Sequence, residues 1–391
     1  MPLLEDLPEL SGRAVLVRAD LNVPLESGSN GSPSKVIDDF RIRAAVPTIV
    51  WLARAGAKVT VCSHLGRPKG IDPAFAIAPV AARLAELLRA ELGADLADTV
   101  SVMENLRFDP GEESNDPATV DRLVAGQDLY VNDAFGAAHR AHASVVGPPG
   151  RLPSAAGRVL AREVKVLSGV REEPSRPLAV IIGGAKASTK LGVMKALLER
   201  SDVLMVGGGM CFTFLAALGH EIGDSLVEPD YIGACAELLD SGRRVLLPTD
   251  IVALGPGGEI CGTTGEVRLF GQDVPAGWKG LDIGPETAAA FAAEVGRAGT
   301  VLWNGPMGVC EDPRFAAGTE TVAQAVAGCS AFTVVGGGDS AAALGALGLS
   351  EEVDHLSTGG GASLELLEKG DLPGLAALRR ARVAAGATAG G

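Results

Sequence analysis

The sequence lacks closely spaced cysteines, a long apolar run and a secretion signal. Its six cysteines lie 19 or more residues apart, so it contains no CxxC pair and no zinc-ligand spacing. Cysteines of this kind are typical of buried, reduced packing thiols in a cytosolic protein. No stretch approaches about 18 uninterrupted apolar residues, and the acidic N-terminus lacks the basic segment of a signal peptide. We therefore expect a cytoplasmic protein with no membrane partner.

Basic residues are fewer than acidic ones, and two common phosphate-binding motifs are missing. The 34 basic and 48 acidic residues give a formal net charge of −14, which argues against nucleic acid as a partner. No Gly-Lys dipeptide occurs, so there is no Walker A loop. The glycine runs at 207–209 and 336–338 do not continue to the third glycine of GxGxxG. Any phosphate site must therefore be local and of another type.

The chain contains short apolar runs that alternate with helical periods, which is typical of parallel sheets with crossover helices. Its 391 residues are enough for two or three domains. Strands are predicted in the first half at Ala14–Arg18, Ala57–Cys62, Val100–Met103 and Asp128–Val131, and in the second half at Leu178–Ile182, Val203–Val206, Arg244–Leu247, Thr300–Trp303, Phe332–Val335 and Val353–Ser357. Helical periods in the first half lie at about 40–55, 77–92 and 117–125. The predicted fold class is α/β, with two Rossmann-like lobes that each have a parallel sheet in a three-layer α/β/α arrangement.

A boundary is predicted near the middle of the chain. Pro148-Pro149-Gly150 and the charged break at 171–177 flank a helical stretch, Ala155–Val170, which would be a hinge helix between the lobes. The predicted domains are 1–154, a connecting helix at 155–170, and 171–371. The Ser/Gly-rich segment Ser27–Ser34 is expected to form a flexible surface loop, and the tail after Arg382 a frayed end.

Cationic side chains follow the four predicted strands of the first half. Ligands bind beyond the carboxyl ends of parallel strands, so these residues can meet. In a protein of this net charge they predict a cationic pocket for a small anion, although each alone could be a solvated surface residue. They are Arg18, His64, Arg67, Arg107, His139, Arg140 and His142, with Arg41 and Arg43 at the start of the first helix. Asp20 and Asn22 could cap a helix or accept hydrogen bonds from a substrate hydroxyl.

Glycine clusters take the same positions in the second half. They lie at 183–184, 207–209, 336–338 and 359–361, and each precedes a helical stretch, so backbone N–H groups and helix N-termini could hold phosphates. Lys186 and Lys190 follow the first cluster at helical i, i+4 spacing, and they either reach a polyphosphate or are solvated helix lysines. Asp339 could cap its helix or hold Mg²⁺ on the phosphates. This half therefore predicts a nucleotide site.

Long motifs of one known family occur in order along nearly the whole chain. They stand at Val17–Leu25, Asp38–Ile49, Ser63–Pro68, Glu104–Phe108, Asn132–Ser144, Ile181–Lys190, Val206–Leu215, Gly277–Thr287, Leu302–Glu311, Val334–Ser340 and Ser357–Leu367. With these segments the sequence resembles the phosphoglycerate kinases. The residues alone also left open a nicotinamide dehydrogenase of doubly wound fold and a two-lobed anion-binding protein without catalysis.

The resemblance implies reversible phosphoryl transfer from 1,3-bisphosphoglycerate to ADP by a hinge-bending monomer. The N-terminal lobe would bind the acid substrate, the C-terminal lobe Mg²⁺ with ATP or ADP, and residues 372–391 would pack back on the first lobe. The implied acid-substrate contacts are Asp20, Asn22, Arg41, His64, Arg67, Arg107 and Arg140. The implied nucleotide contacts are Lys186, Lys190, Gly280, Asn304, Glu311, Gly337, Gly338, Asp339 and Ser340. Arg41, Lys186, Gly337 and Gly360 would be catalytic, and Asp339 would be the metal ligand.

Overall fold

The computed structural model describes residues 1–26 and 34–387, and their contacts form two compact units. Unit 1 contains Met1–Lys165 together with the chain from Asp371 onwards, and unit 2 contains Val166–Gly370. The predicted loop at 27–34 lies, except for Ser34, outside the described residues. In the described ranges, no helix is long and apolar enough to span a membrane.

Unit 1 is built on a five-stranded parallel sheet. Its elements are β1 (Ala14–Arg18), β2 (Leu25–Glu26), β3 (Lys35–Val36), β4 (Lys58–Cys62), β5 (Val100–Val102), β6 (Leu129–Asn132) and β7 (Ser154–Ala156), with α1 (Phe40–Arg54), α2 (Ala78–Leu92), α3 (Ala94–Ala97), α4 (Gly111–Ser114), α5 (Pro117–Val124) and α6 (Ala143–Val146). Helix α7 (Arg158–Glu172) begins in unit 1 and ends in unit 2. The sheet order is β5-β4-β1-β6-β7, and β2 pairs with β3 in a separate hairpin.

Alternation along the strands explains the layers of unit 1. Val15 and Val17 of β1 face α1 and α2, where Ile49 and Leu84 complete the core. Residues between them face the other side, since side chains alternate along a strand. On that side the Tyr130 hydroxyl donates to a carbonyl of α6 at 2.7 Å. Both faces of the sheet are therefore covered, as expected for parallel strands.

Unit 2 has a six-stranded parallel sheet and a smaller antiparallel one. Its elements are β8 (Leu178–Ile182), β9 (Val203–Val206), β10 (Val245–Leu246), β11 (Ile251–Leu254), β12 (Val267–Phe270), β13 (Lys279–Ile283), β14 (Thr300–Asn304), β15 (Phe332–Gly336) and β16 (His355–Leu356), with α8 (Leu191–Leu198), α9 (Cys211–Ala217), α10 (Ile232–Leu239), α11 (Pro285–Val295), α12 (Ala317–Gly328), α13 (Gly338–Ala346) and α14 (Gly361–Lys369). The orders are β10-β9-β8-β14-β15-β16 and β12-β11-β13. Trp303 and Met205 pack against Phe291 and Val322 of the covering helices.

The predicted α/β class with two parallel sheets is confirmed, and some predicted elements are wrong in detail. Residues 155–156 belong to strand β7 rather than to the predicted helix, and α7 begins only at Arg158. The antiparallel sheet and the β2–β3 hairpin were not predicted. One-turn 3₁₀ helices occur at Leu4–Asp6, Pro73–Phe75, Leu106–Phe108, Phe135–Ala137, Pro148–Gly150, Ala187–Thr189, Pro229–Tyr231, Pro313–Phe315 and Ser350–Glu352.

The last helix, α15 (Pro373–Ala387), belongs to unit 1. The Gly374 N–H donates to the carbonyl of Ala138 at 2.9 Å, and Leu375 and Leu378 are buried. The helix continues beyond Arg382, where the sequence predicts a frayed end, and residues 388–391 lie outside the description.

Candidate active site

Four cationic side chains of unit 1 converge on His64. The charges of Arg18, Arg107, Arg41 and Arg140 act together with burial, the largest cause, to hold the pKa of His64 well below its usual range. They come from β1, the loop after β5, helix α1 and the loop after β6, so they lie at the carboxyl ends of neighbouring strands. We call Arg18, Arg41, His64, Arg67, Arg107 and Arg140 the arginine cluster. This brings together the cationic side chains that the sequence placed at the strand ends.

Asp20 and Asn22 join this cluster rather than capping a helix. Arg41 Nη1 lies 3.4 Å from Asp20 Oδ2 and donates to the Asn22 carbonyl at 2.9 Å. Asn22 Oδ1 accepts from Gly66 N at 2.8 Å, which ties the loop after β1 to the loop after β4. The helix-cap alternative for both residues is therefore wrong. Arg43 pairs instead with Asp39, the residue that precedes its helix, at 2.7 Å.

Arg107 is held by groups that the sequence did not single out. It is 8% exposed, donates to the Gly66 carbonyl, and its Nε lies 3.0 Å from Glu113 Oε1. Burial, together with Arg140, Arg18 and Arg67, lowers its pKa, which places Arg67 within the same electrostatic neighbourhood. Asn105 accepts from Leu65 N and Arg107 N, both at 3.1 Å, and so connects the two loops.

The two other histidines of the predicted pocket, His139 and His142, lie near the cluster. His142 Nδ1 is 3.8 Å from Glu112 Oε1, and burial with Arg107 and Arg140 lowers the pKa of His142 to about 4. His139 is half-buried beside Arg140. Within the described residues, no group of three or more His, Cys, Asp or Glu side chains could hold a metal ion.

The first two glycine clusters of unit 2 pack backbone against backbone. The N–H groups of Gly183, Gly184, Gly207 and Gly208 donate to backbone carbonyls of Asn304, Pro306, Ile182 and Met307. A Cβ on Gly208, whose φ is +67°, would lie 2.5 Å from the backbone nitrogen of Gly184. These N–H groups therefore hold the loops together, and the expectation that they are bare phosphate donors is wrong.

The other two clusters begin helices. Gly337 (φ +95°) and Gly360 (φ +41°) are the N-cap residues of α13 and α14. The first N–H groups of an α-helix have no acceptor within that helix, so they suit an anion. Asp339 is exposed and is the second residue of α13, whose N-cap is Gly337, so the alternative that Asp339 caps the helix is wrong.

Lys190 is the central cation of unit 2. Its Nζ donates to the Gly183 carbonyl and to Asn304 Oδ1, both at 2.7 Å, at the ends of β8 and β14. Burial lowers the pKa of Lys190 to about 8, against the opposing effect of Asp339. Lys186 is exposed, and a one-turn 3₁₀ helix separates the two lysines, so the expected i, i+4 pair on an α-helix is wrong.

Glu228 was not recognised in the sequence, yet it holds the turn that follows Lys186. Its carboxylate accepts from Ser188 N at 2.9 Å and from Ser188 Oγ at 2.5 Å. Burial raises the pKa of Glu228, but the Ser188 donors and the Lys186 charge outweigh burial and lower the pKa overall. No local sequence pattern marks Glu228 as the partner of Ser188, because the two residues are 40 positions apart.

The other expected nucleotide residues lie on separate elements. Ser340 is buried, and its hydroxyl accepts from Gly305 N at 2.7 Å, so it shapes the loop after β14. Glu311 is exposed farther along that loop. Gly280 lies in β13, where a Cβ would stand 2.2 Å from the Phe212 ring.

Comparison with known proteins identifies the family. The family model described as phosphoglycerate kinase matches residues 4–370. Curated proteins named phosphoglycerate kinase include one from Salinispora arenicola, 53% identical over 96% of this chain and 98% of that protein. Another, from Rubrobacter xylanophilus, is 50% identical over 95% of this chain and 96% of that protein.

Solved structures agree in fold. Phosphoglycerate kinase from Coxiella burnetii matches with a TM-score of 0.82 and 35% identity over 96% of this chain and 98% of that one. The enzyme from Pyrococcus horikoshii matches with a TM-score of 0.82 and 30% identity over 98% of this chain and all (100%) of that one. Because sequence and fold agree over nearly the whole length, the chain belongs to the phosphoglycerate kinase family.

Proposed function

We propose that the protein exchanges a phosphoryl group between 1,3-bisphosphoglycerate and ADP, forming 3-phosphoglycerate and ATP. Family membership makes it a kinase of glycolysis, a phosphotransferase with a carboxyl group as acceptor. The observation that carries the proposal is the group of four arginines that surrounds His64 in unit 1. Such a concentration of positive charge in a chain of net charge −14 suits a small substrate with several anionic groups.

In this proposal, unit 1 binds the acid substrate. Guanidinium groups match the planar oxygens of carboxylate and phosphate groups, whereas Asp20 and Asn22 offer oxygens to a substrate hydroxyl. The proposed contacts are Asp20, Asn22, Arg41, His64, Arg67, Arg107 and Arg140. Arg41 contacts both Asp20 and Asn22, and in this proposal it binds the reacting end of the substrate.

Unit 2 binds the nucleotide. The proposed contacts are Lys186, Lys190, Gly280, Asn304, Glu311, Gly337, Gly338, Asp339 and Ser340. Mg²⁺ is usually held by one or two carboxylates plus substrate phosphates, and the exposed Asp339 in the first turn of α13 fits that donor set. When bound there, Mg²⁺ would neutralise negative charge on the phosphate oxygens.

The chemistry needs positioning and charge rather than a base. A carboxylate with an ordinary pKa near 4 is already ionised at pH 7, so no side chain has to remove a proton from the acceptor. Arg41 and Lys186, with the N–H groups of Gly337 and Gly360, would stabilise the charge of the transferring group. Because the two substrates bind to different units, the transfer requires the units to close, with α7 as the proposed hinge since it carries the boundary between Lys165 and Val166.

We also propose that the enzyme acts as a monomer in the cytoplasm, as the family resemblance implies. All six cysteines are free, which is in keeping with a reducing compartment. Only Cys62, Cys211 and Cys235 are buried, so the expectation of buried packing thiols is wrong for the other three.

The test is ADP release from Mg-ATP with and without 3-phosphoglycerate. We expect acid-dependent ADP formation that falls by orders of magnitude in Arg41→Ala, with nucleotide affinity nearly unchanged. Arg43→Ala is the matched control, since Arg43 lies on the same helix but pairs with Asp39 in solvent, and it should keep full turnover. Binding of both substrates without turnover would instead identify a non-catalytic anion-binding relative and would refute the proposal.

A further inference from the structure

Arg18 is almost completely buried, with 1% of its surface exposed, and each of its three side-chain nitrogens contacts a neighbouring group of unit 1. Its Nη2 lies 3.0 Å from His64 Nδ1, its Nε donates to Ser144 Oγ at 3.0 Å, and its Nη1 donates to the Ala19 carbonyl. A guanidinium has five N–H donors, no acceptor, and stays protonated in proteins. The His64 Nδ1 atom must therefore accept this hydrogen bond, so it carries no proton.

The orientation of Arg18 is set from behind by a buried carboxylate. Ser144 Oγ accepts from Arg18 and donates to Glu112 Oε1 at 2.6 Å, and Glu112 Oε2 accepts from Ser144 N at 2.9 Å. The Tyr130 hydroxyl donates to the Ser144 carbonyl at 2.7 Å. In each hydrogen bond from Arg18 through Ser144 to Glu112, only one of the two partners can be the donor. This buried network therefore fixes the orientation of the Arg18 guanidinium.

The surroundings of His64 also disfavour a second proton. The charged groups that act on the ring are Arg18 from β1, Arg107 from the loop after β5, Arg41 from α1 and Arg140 from the loop after β6. All four are cations, and burial adds to their effect in lowering the pKa of His64. The imidazole is therefore neutral and has a single N–H, at Nε2.

We propose that Arg18 is a positioning residue, held by Glu112 through Ser144, which fixes His64 as the neutral Nε2–H tautomer. His64 then offers the acid substrate a hydrogen-bond donor whose state does not change with pH, while the arginines supply the charge. The substrate part of this inference rests on the proposed function. The tautomer part rests on the hydrogen bonds alone.

The direct test is side-chain NMR of the full chain labelled with ¹⁵N-histidine, since two-bond ¹H–¹⁵N correlations distinguish the two tautomers. The His64 signals are assigned by their loss in His64→Gln. We expect the Nε2–H tautomer at every pH from 8 to 5.5. An Nδ1–H tautomer, or protonation of His64 within that range, would overturn the proposal.

Variants separate the role of Arg18 from general packing. Arg18→Met removes the donor and one positive charge, so His64 should populate both tautomers and begin to titrate, whereas Arg18→Lys should restore the Nε2–H form. Ser144→Ala keeps both charges and breaks only the connection to Glu112. If Arg18→Met does not fold, Ser144→Ala replaces it, and the fraction of His64 in the Nε2–H form should then be lower than in the wild type. Wild-type spectra from both Arg18→Met and Ser144→Ala would show that the network does not select the tautomer.

Kinetics test the link to the substrate. Arg18→Met should raise the KM for 3-phosphoglycerate at least about twofold, because with both tautomers populated only about half of the molecules offer the Nε2–H donor, and should leave the KM for Mg-ATP unchanged. Equal changes in both KM values would contradict a role at the acid site. A wild-type protein with the Nε2–H tautomer but without acid-dependent turnover would refute the proposed function and leave the tautomer assignment intact.

Discussion

Nucleotide affinity should fall as pH rises from 7 to 9 because of Lys190. Its ammonium group donates to the Gly183 carbonyl and to Asn304, and it lies in a buried position at the ends of β8 and β14. Burial lowers the pKa of Lys190 to about 8. The lysine therefore changes its charge within a pH range in which arginine side chains keep theirs.

The size of the effect follows from that pKa. With a pKa of about 8, about nine-tenths of the free protein carries the ammonium at pH 7 and about one-tenth at pH 9. If only the charged form binds the nucleotide phosphates, the Kd for Mg-ADP rises about tenfold over this range, which is about 1.4 kcal/mol.

The assay is calorimetric titration with Mg-ADP at pH 7, 8 and 9. Lys190→Arg keeps its charge throughout and should give a flat profile, and Lys190→Met should bind weakly with an equally flat profile. A wild-type Kd that does not change with pH would refute the reasoning, and so would a tenfold change in Lys190→Arg.

Three further predictions concern stability. Gly208→Ala should destabilise unit 2 by at least about 2 kcal/mol in urea unfolding, because the position has a φ of +67° and the new Cβ would lie 2.5 Å from a backbone nitrogen. The control Gly233→Ala lies in open space on α10 and should instead stabilise by about 0.5 kcal/mol. Equal effects of the two substitutions would contradict the steric argument. Asp250→Ala should cost about 2 kcal/mol, because it leaves the Thr287 N–H (2.9 Å) and hydroxyl (2.5 Å) at the start of α11 without their acceptor; an unchanged urea midpoint would exclude this role. His142 has a pKa lowered to about 4, so the folded state binds a proton at His142 less readily than the unfolded chain does. The free energy of unfolding should therefore fall by up to about 3 kcal/mol as pH drops from 6.5 to 4. His142→Gln should lose this part of the pH dependence, and parallel plots of unfolding free energy against pH for the two proteins would argue against this role of His142.

The parallel sheets could be predicted because their strands are short, continuous apolar runs. Strand β8 has five residues, all buried, and it was placed to the residue. Strand β12 shows why the antiparallel sheet was missed: three of its four residues are exposed, and glycines surround it. Strand β7 consists of one serine and two alanines, which carry no strand signal, and the sequence predicts its two alanines as the start of a helix.

The cations of the site could be predicted from their position after each strand, whereas the residues that hold them could not. Glu112 and Asn105 form their contacts with side chains or loops 32 and 40 residues away in sequence, so nothing local marks them. The glycine clusters were found, but sequence alone could not show which of their N–H groups donate to carbonyls. Gly183 and Gly208 donate across strand ends, and that pairing depends on the order of the strands in the sheet.

Helix α15 has a consequence for synthesis on the ribosome. It closes unit 1 with Leu375 and Leu378, although the rest of that unit is made first. Unit 2, residues 166–370, is translated after residue 165 and before residue 371, so its chain is complete before helix α15 emerges. The unit that is synthesised first is therefore the last to be completed, and until then its surface around Ala138 and Val145 is exposed to chaperones and to other nascent chains.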